Sequence, residues 1–356
     1  MLTLIVSFVN IFVGFLEFMS NNNNIVYYKI IKTRESIMSS LNIVVLNNLA
    51  NRHFTAIHDV VPDTNIITCS IEEAPNFIEG ADILIAWGWQ PQDQLENLVL
   101  KSKNLKWIHS LSAGVENFLS STIINSDILL SNSRGIHGIP MAEHVLAIML
   151  SFTRQLEFFF NSQKAKLWQR TKLDELYGKT IGIVGLGSIG REIAKRAKGL
   201  GMQVYANKRT LTKELFVDQL FDQEQLSEML AEADFVVVTL PLTEDTRNLF
   251  NLELFKIMKK SSYFINISRG AIVNEDDLIT ALNNKIIQGA ALDVFQTEPL
   301  PDNSPLWEQE NLIITPHISS LSPQYLDRAI KLFCENLKKY LSSSELLTLI
   351  DKEKGY

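Results

Sequence analysis

Cysteine is nearly missing from this chain: Cys69 and Cys334 are the only two, far apart and outside any CxxC pair. That excludes a disulfide framework and a cysteine-based zinc site, so no metal is expected, and it fits a reducing compartment such as the cytoplasm. Long basic runs are missing too. With a net charge of −7, a nucleic-acid partner is not expected. Short-period repeats are absent, and the only low-complexity tract is Asn21 to Asn24, which removes solenoids and disordered polymers from consideration.

The first nineteen residues are strongly apolar but lack a basic start and a small-residue cleavage site, so they make a poor secretory signal. They carry Asn10 and Glu17 and barely reach the ~20 residues of a spanning helix. We read residues 1–40 as an extension outside the fold, with Met38 just ahead of the first strand. A membrane tether is the competing reading.

What remains has the composition of a soluble globular protein, 46% hydrophobic and 21% charged, and is long enough for two domains. From Leu41 short apolar runs alternate with amphipathic stretches. Strands are predicted at Ile43–Leu46, Ile66–Cys69, Ile83–Ala86 and Trp107–His109. A long apolar helix is predicted from Pro140 to Phe160, its proline in the first turn where no hydrogen bond is lost. A second series places six strands at Ile181–Val184, Gln203–Ala206, Phe235–Leu240, Ser262–Ile267, Gly289–Val294 and Leu312–Thr315. One more helix follows Ser322 and runs to about Tyr340. Strand–helix alternation at this spacing predicts an α/β protein with mainly parallel sheets.

The strongest local signal follows the first strand of the second series, in Gly185-Leu-Gly187-Ser-Ile-Gly190. Gly185 permits a tight turn, Gly187 lets backbone approach a pyrophosphate, and Gly190 lets helix and strand pack closely. Ser188 and Ile189 open the helix, whose first amides attract phosphate. Strand, glycines, helix and next strand in this order point to a dinucleotide. At the end of the next strand NAD enzymes commonly carry an acidic residue for the ribose 2′-hydroxyl. Here Lys208 and Arg209 stand instead and suit the extra phosphate of NADP. NADP(H) is favoured, with NAD(H) as the alternative, and two solvated surface cations as the bland reading.

Three further segments place ionisable groups just past a strand, at the edge where open α/β sheets bind ligands. They are Asn266-Ile-Ser-Arg269-Gly270, Leu292-Asp293 through Glu298-Pro299, and Thr315-Pro-His317-Ile-Ser319. Taken with the glycine turn, the early Leu111-Ser112-Ala113-Gly114 and Asn132-Ser-Arg-Gly-Ile-His137, they resemble the D-isomer-specific 2-hydroxyacid dehydrogenase family. The resemblance runs from about Leu41 to Tyr356.

That resemblance implies two Rossmann-like, doubly wound domains, the cofactor domain inserted in the chain of the substrate domain. The substrate domain would take residues 41–139 and 322–356, the NAD(P)-binding domain 140–321. It implies hydride transfer between NAD(P)H and a small 2-keto acid/D-2-hydroxy acid pair, a homodimer, and a substrate held in the cleft between domains. His317 matches the general acid/base, Glu298 its carboxylate partner and Arg269 the substrate-binding arginine. Ser112, Ala113 and Gly114 match the cradle for the substrate carboxylate. Thr239, Pro241, Ser268 and Asp293 match cofactor contacts, Asp293 near the nicotinamide carboxamide. A nucleotide-sensing binding protein on the same fold, like the C-terminal-binding-protein corepressors, is the alternative, and a different enzyme class on a related scaffold is a more distant one. Trp87 and Trp89 suggest an apolar wall for the substrate.

Overall fold

Runs of aliphatic residues buried on both faces build the central strands, as expected where helices cover a parallel sheet on each side. The computed structural model describes residues 41–355. The apolar stretch before Leu41, with its extension and tether readings, lies outside the described residues. Among the described residues no helix is long and apolar enough to cross a membrane, and no group of His, Cys, Asp and Glu is placed to hold a metal ion. The fold is α/β, in two compact units. One takes in the described residues up to Ser133 together with those from Ala329 onward. The other is Arg134–Arg328.

The first unit contains β1 (Asn42–Val45), α1 (Asn51–His58), β2 (Asn65–Thr68), β3 (Ile83–Ala86), α2 (Gln92–Lys101), β4 (Trp107–Ser110), α3 (Ser121–Ile124) and β5 (Leu129–Ser131). The five strands are parallel in the order β2-β1-β3-β4-β5. The direction of winding reverses between β1 and β3, so a crevice opens at their carboxyl ends. Trp107 is fully buried. Its ring stacks on Phe333 and Tyr340 at 5.0 and 5.3 Å, both from the last long helix, Tyr325–Leu341. Beyond that helix the chain bridges Leu349 to Ser131 on β5.

The second unit contains α4 (Gly138–Arg154), α5 (Leu156–Lys164), β6 (Thr180–Val184), α6 (Ser188–Gly199), β7 (Gln203–Asn207), β8 (Gln219–Phe221), α7 (Leu226–Glu232), β9 (Phe235–Val238), α8 (Leu252–Ile257), β10 (Tyr263–Asn266), α9 (Glu275–Asn283), β11 (Gly289–Leu292) and β12 (Leu312–Ile314). Its seven strands are parallel in the order β12-β11-β10-β9-β6-β7-β8. Alternate residues feed two cores. Val236 and Val238 of β9 face one, Phe235 and Val237 the other. The reversal lies between β6 and β9, so everything leaving those two strands at their carboxyl ends meets one crevice.

Three local expectations are corrected. The helix predicted from Pro140 to Phe160 is two helices, because Gln155 takes a left-handed conformation (φ 54°) and its side-chain amide donates to the Phe152 carbonyl at 2.9 Å. Neither glycine nor proline marks that break. The second sheet has seven strands rather than six. β8 is only three residues long, and only its Phe221 is fully buried. The first sheet gains β5, a Leu-Leu-Ser strand of only three residues that lies outside the predicted strands.

Candidate active site

The glycine turn sits at the reversal point. Gly185 leaves β6 with φ 96°, and a Cβ there would lie 2.9 Å from a Leu240 methyl and 3.1 Å from the Leu240 amide nitrogen, so only glycine fits. A Cβ on Gly190 would fall 2.8 Å from the Gly185 carbonyl oxygen, which keeps α6 tight against β6. Beside Gly187, by contrast, a Cβ would meet nothing within 4 Å. The amides of Ser188, Ile189 and Gly190 have no acceptor within the helix, and no side chain caps them. Open space above a bare helix N-terminus suits a pyrophosphate. Ile189 turns inward and packs on the core under β6. Thr239 closes the crevice from β9: its amide donates to the Val184 carbonyl at 2.9 Å and its hydroxyl to the Gly185 carbonyl. Pro241 follows, exposed, its carbonyl accepting from the Thr246 hydroxyl at 2.8 Å.

Beyond β7 stand Lys208 and the exposed Arg209. The Lys208 ammonium donates to Thr212 at 2.9 Å and to Glu214 at 2.5 Å. Arg191, from the first turns of α6, donates through both arms of its fork to the same carboxylate at 2.8 and 2.7 Å. Sequence reading missed both Arg191 and Glu214. The first is a helix residue with no motif position, and the second lies in the irregular loop before β8.

The His317–Glu298 pair lies at the other half of the sheet. His317 follows β12 in a left-handed conformation, φ 51°. Its Nδ1 is 2.7 Å from Glu298 Oε2, while Glu298 Oε1 accepts from the Phe295 amide at 2.9 Å. That leaves Nε2 as the ring nitrogen not engaged by Glu298. The hydrogen bond to Glu298 raises the His317 pKa above its ordinary value. Burial and the nearby Arg269 oppose the rise, and the charges of Glu298 and Asp293 add to it. Burial pushes Glu298 up, but the bonds from His317 and Phe295, with the charges of His317 and Arg269, outweigh it and leave its pKa lowered.

Asp293 explains why the unusual His317 backbone holds. Its carboxylate is wholly buried and accepts from the Thr315 hydroxyl (2.6 Å), the Ile318 amide (2.9 Å) and the Ser319 amide (2.9 Å). Its backbone carbonyl accepts from the His317 amide at 2.8 Å. His144, on α4, reaches Thr315 with its Nε2 at 3.2 Å.

Arg269 leaves β10 extended. Asn266 shapes that turn, donating to the Arg269 carbonyl at 2.9 Å and accepting from the Ser268 amide and hydroxyl at 3.1 and 2.8 Å. Gly270 lets the turn cross the Phe295–Glu298 loop. A Cβ there would lie 1.9 Å from the Phe295 carbonyl carbon. Arg269 also bears on buried His137, whose pKa falls to about 4 through burial first and the arginine second. His137 Nε2 is 2.7 Å from the Tyr325 hydroxyl. Sequence reading gave Asn266, Gly270, Thr315 and His137 no role of their own within their motifs and passed over Tyr325, since their work is to shape backbone and neighbours.

The first unit carries Ser112, Ala113 and Gly114 just past β4. The Ser112 hydroxyl accepts from the Gly88 amide at 3.0 Å. Asn132 donates to the Ala113 carbonyl at 2.6 Å and Ser110 to that of Gly114 at 3.3 Å, so side chains from within the unit hold the turn. A Cβ on Gly88 would lie 2.5 Å from the Gly114 carbonyl oxygen. Trp87 and Trp89 flank that glycine with ring centroids 6.3 Å apart, and Trp89 is 66% exposed.

Comparison with known proteins points to one family. The family described as "D-isomer specific 2-hydroxyacid dehydrogenase, NAD binding domain" matches residues 146–319. The glyoxylate reductase of Pyrococcus furiosus is 32% identical over 271 residues, 74% of this chain and 79% of that protein. The curated D-3-phosphoglycerate dehydrogenases that it matches are longer, and the chain spans about half their length. Among solved structures, a D-isomer specific 2-hydroxyacid dehydrogenase family protein from Aeromonas salmonicida is 35% identical with a TM-score of 0.81, covering 88% of this chain and 100% of its own. An NADPH-dependent glyoxylate/hydroxypyruvate reductase from Sinorhizobium meliloti, in complex with NADP and sulfate, is 26% identical with a TM-score of 0.77, covering 89% and 100%.

Proposed function

This chain belongs to the D-isomer specific 2-hydroxyacid dehydrogenase family, and on that premise we propose that it reduces a small 2-keto acid to the D-2-hydroxy acid with NADPH, His317 supplying the proton. It is an NAD(P)-dependent oxidoreductase, and the observation that carries the assignment of residues is the His317–Glu298 pair at 2.7 Å beside Arg269. The second unit is assigned to the cofactor and the first to the substrate.

A nicotinamide cofactor, when bound, would supply the hydride. As negative charge grows on the C2 oxygen, His317 donates the Nε2 proton, a contribution of about 10²–10⁴-fold. Glu298 keeps the ring charged and oriented through Nδ1. In the oxidative direction neutral His317 takes the proton back. Arg269 holds the carboxylate and carbonyl oxygens of the substrate with its planar fork, a geometry lysine does not offer. The turn of Ser112, Ala113 and Gly114 is assigned to the substrate carboxylate. The pyrophosphate is assigned to Gly185, Gly187, Ser188, Ile189 and Gly190, the adenosine side to Thr239 and Pro241, and the 2′-phosphate to Lys208 and Arg209. Ser268 is assigned to the nicotinamide end. Asp293 acts there through the turn that it holds for His317. The relatives' activities make glyoxylate and hydroxypyruvate the first substrates to try. A homodimer in the cytoplasm completes the proposal, in keeping with two free thiols, Cys69 and Cys334.

The test is oxidation of NADPH and of NADH by the full chain with a panel of 2-keto acids. Turnover of one acid, faster with NADPH, is the expected result. Clear nucleotide binding without turnover of any acid would favour the nucleotide-sensing alternative.

A further inference from the structure

The cations after β7 do not stand alone, because an internal anion already sits between them. The amides of Gly185 and Leu186 donate to the Asn207 carbonyl at 3.1 and 3.2 Å, which ties the glycine turn to the end of β7. Arg191, on the helix leaving that turn, and Lys208, on the residue after β7, therefore converge on one point. The Glu214 carboxylate occupies it. It accepts two bonds from Arg191 and one from Lys208, with only 10% of its side chain exposed. Those charges hold its pKa down to about 2, the Arg191 bond first and the Lys208 bond second, so it stays ionised at any working pH.

A carboxylate held by an arginine fork and an ammonium uses the donors that a phosphate monoester would use. The phosphate brings three acceptor oxygens and close to two negative charges, against two oxygens and one charge. Glu214 also lies on a segment between β7 and β8 that is neither strand nor helix. Its neighbours Leu215 and Phe216 are 78% and 46% exposed, and Phe216 holds a left-handed backbone, φ 64°. The carboxylate can withdraw without unmaking an element of the sheet.

We infer that Glu214 is a specificity-determining residue, a tethered competitor that a 2′-phosphate must displace from Arg191 and Lys208, and that Arg191 is a third cation of that subsite. An unphosphorylated ribose has no need to displace it. Glu214 thus narrows the preference for NADP over NAD that the cations alone would give. This rests on the assignment of Lys208 and Arg209 to the 2′-phosphate.

The experiment is calorimetric titration of the full chain, wild type, Glu214→Gln and Arg191→Gln, with adenosine 2′,5′-bisphosphate and with 5′-AMP. Glu214→Gln should tighten the bisphosphate by about tenfold, the order expected for removing one close like charge, and leave 5′-AMP within about twofold. Arg191→Gln should weaken the bisphosphate selectively. If Glu214→Gln leaves the ratio of the two affinities unchanged, or lowers it, the inference is overturned while a wild-type preference for the bisphosphate would keep the NADPH reading standing. A wild type without preference that gains one in Glu214→Gln would support the competitor and overturn the NADPH reading. No preference in any of the three proteins would overturn both.

Discussion

Replacing Asp293 by asparagine tests whether this buried carboxylate holds the His317 turn. Three donors converge on it, the Thr315 hydroxyl and the Ile318 and Ser319 amides, at 2.6, 2.9 and 2.9 Å. Asparagine has almost the same shape but one oxygen, and its NH2 must then face a backbone N–H. One amide is left without an acceptor, at a loss of about 1.5–3 kcal/mol for a bond to a charged group. The remaining bonds lose the assistance of charge, which adds about 1–2 kcal/mol. The sum, about 2.5–5 kcal/mol, corresponds to a fall in Tm of about 5–20 °C for a unit of this size. Thr315→Val, which removes one bond and adds no donor, should cost less than half of that. Scanning calorimetry of the full chain gives the first readout. The second is the reduction rate, which should fall at least tenfold, because a His317 turn no longer pinned in its left-handed conformation misplaces Nε2. An Asp293→Asn protein that melts within about 2 °C of the wild type and turns over at its rate would refute the reasoning.

Glu298→Gln removes the main cause of the raised His317 pKa, so the high-pH limb of kcat/KM for reduction should move down toward the ordinary histidine value of about 6.5, and an unmoved limb would separate Glu298 from proton transfer. The linkage has a definite sign. Glu298 is lowered and His317 raised, so the pair stabilises the fold between those two values. That contribution fades as pH falls through the first or rises through the second. His317→Gln should lower reduction by about 10²–10⁴-fold while NADPH titrates as in the wild type, and an unchanged rate would remove His317 from the mechanism. Gly270→Ala should cost about 1–3 kcal/mol or more and slow turnover together, since its Cβ would overlap Phe295 and Gln296 backbone that has no rotamer to yield; wild-type stability would contradict the crossing geometry.

The parts legible in the sequence were those where chemistry needs a residue type at a fixed place along the chain. Glycines at a strand-to-helix turn and ionisable groups just after strands are such places, and Gly185, Arg269, Glu298 and His317 all lie there. What stayed hidden depends on meetings between distant segments. Nothing near Glu214 announces that Arg191, twenty-three residues earlier, will reach it. Asp293 was legible as a polar residue after a strand, but its grip on two amides and a hydroxyl follows only once β11 and β12 lie side by side. The break at Gln155 hid because its left-handed backbone is stabilised by its own side-chain bond rather than by glycine.

The two units also differ in when a ribosome could finish them. The second is one unbroken stretch, Arg134–Arg328, and its sheet can close as soon as that stretch has emerged. The first is interrupted. Trp107, Phe333 and Tyr340 form one stack, and Ser131 pairs with Leu349, so its core waits while the whole of the other unit is made. At usual elongation rates that interval is on the order of 10–40 s. Throughout it Trp107 and the β4–β5 edge lack the surface that covers them, which makes this half of the newborn protein the natural client of a chaperone that binds exposed apolar strands.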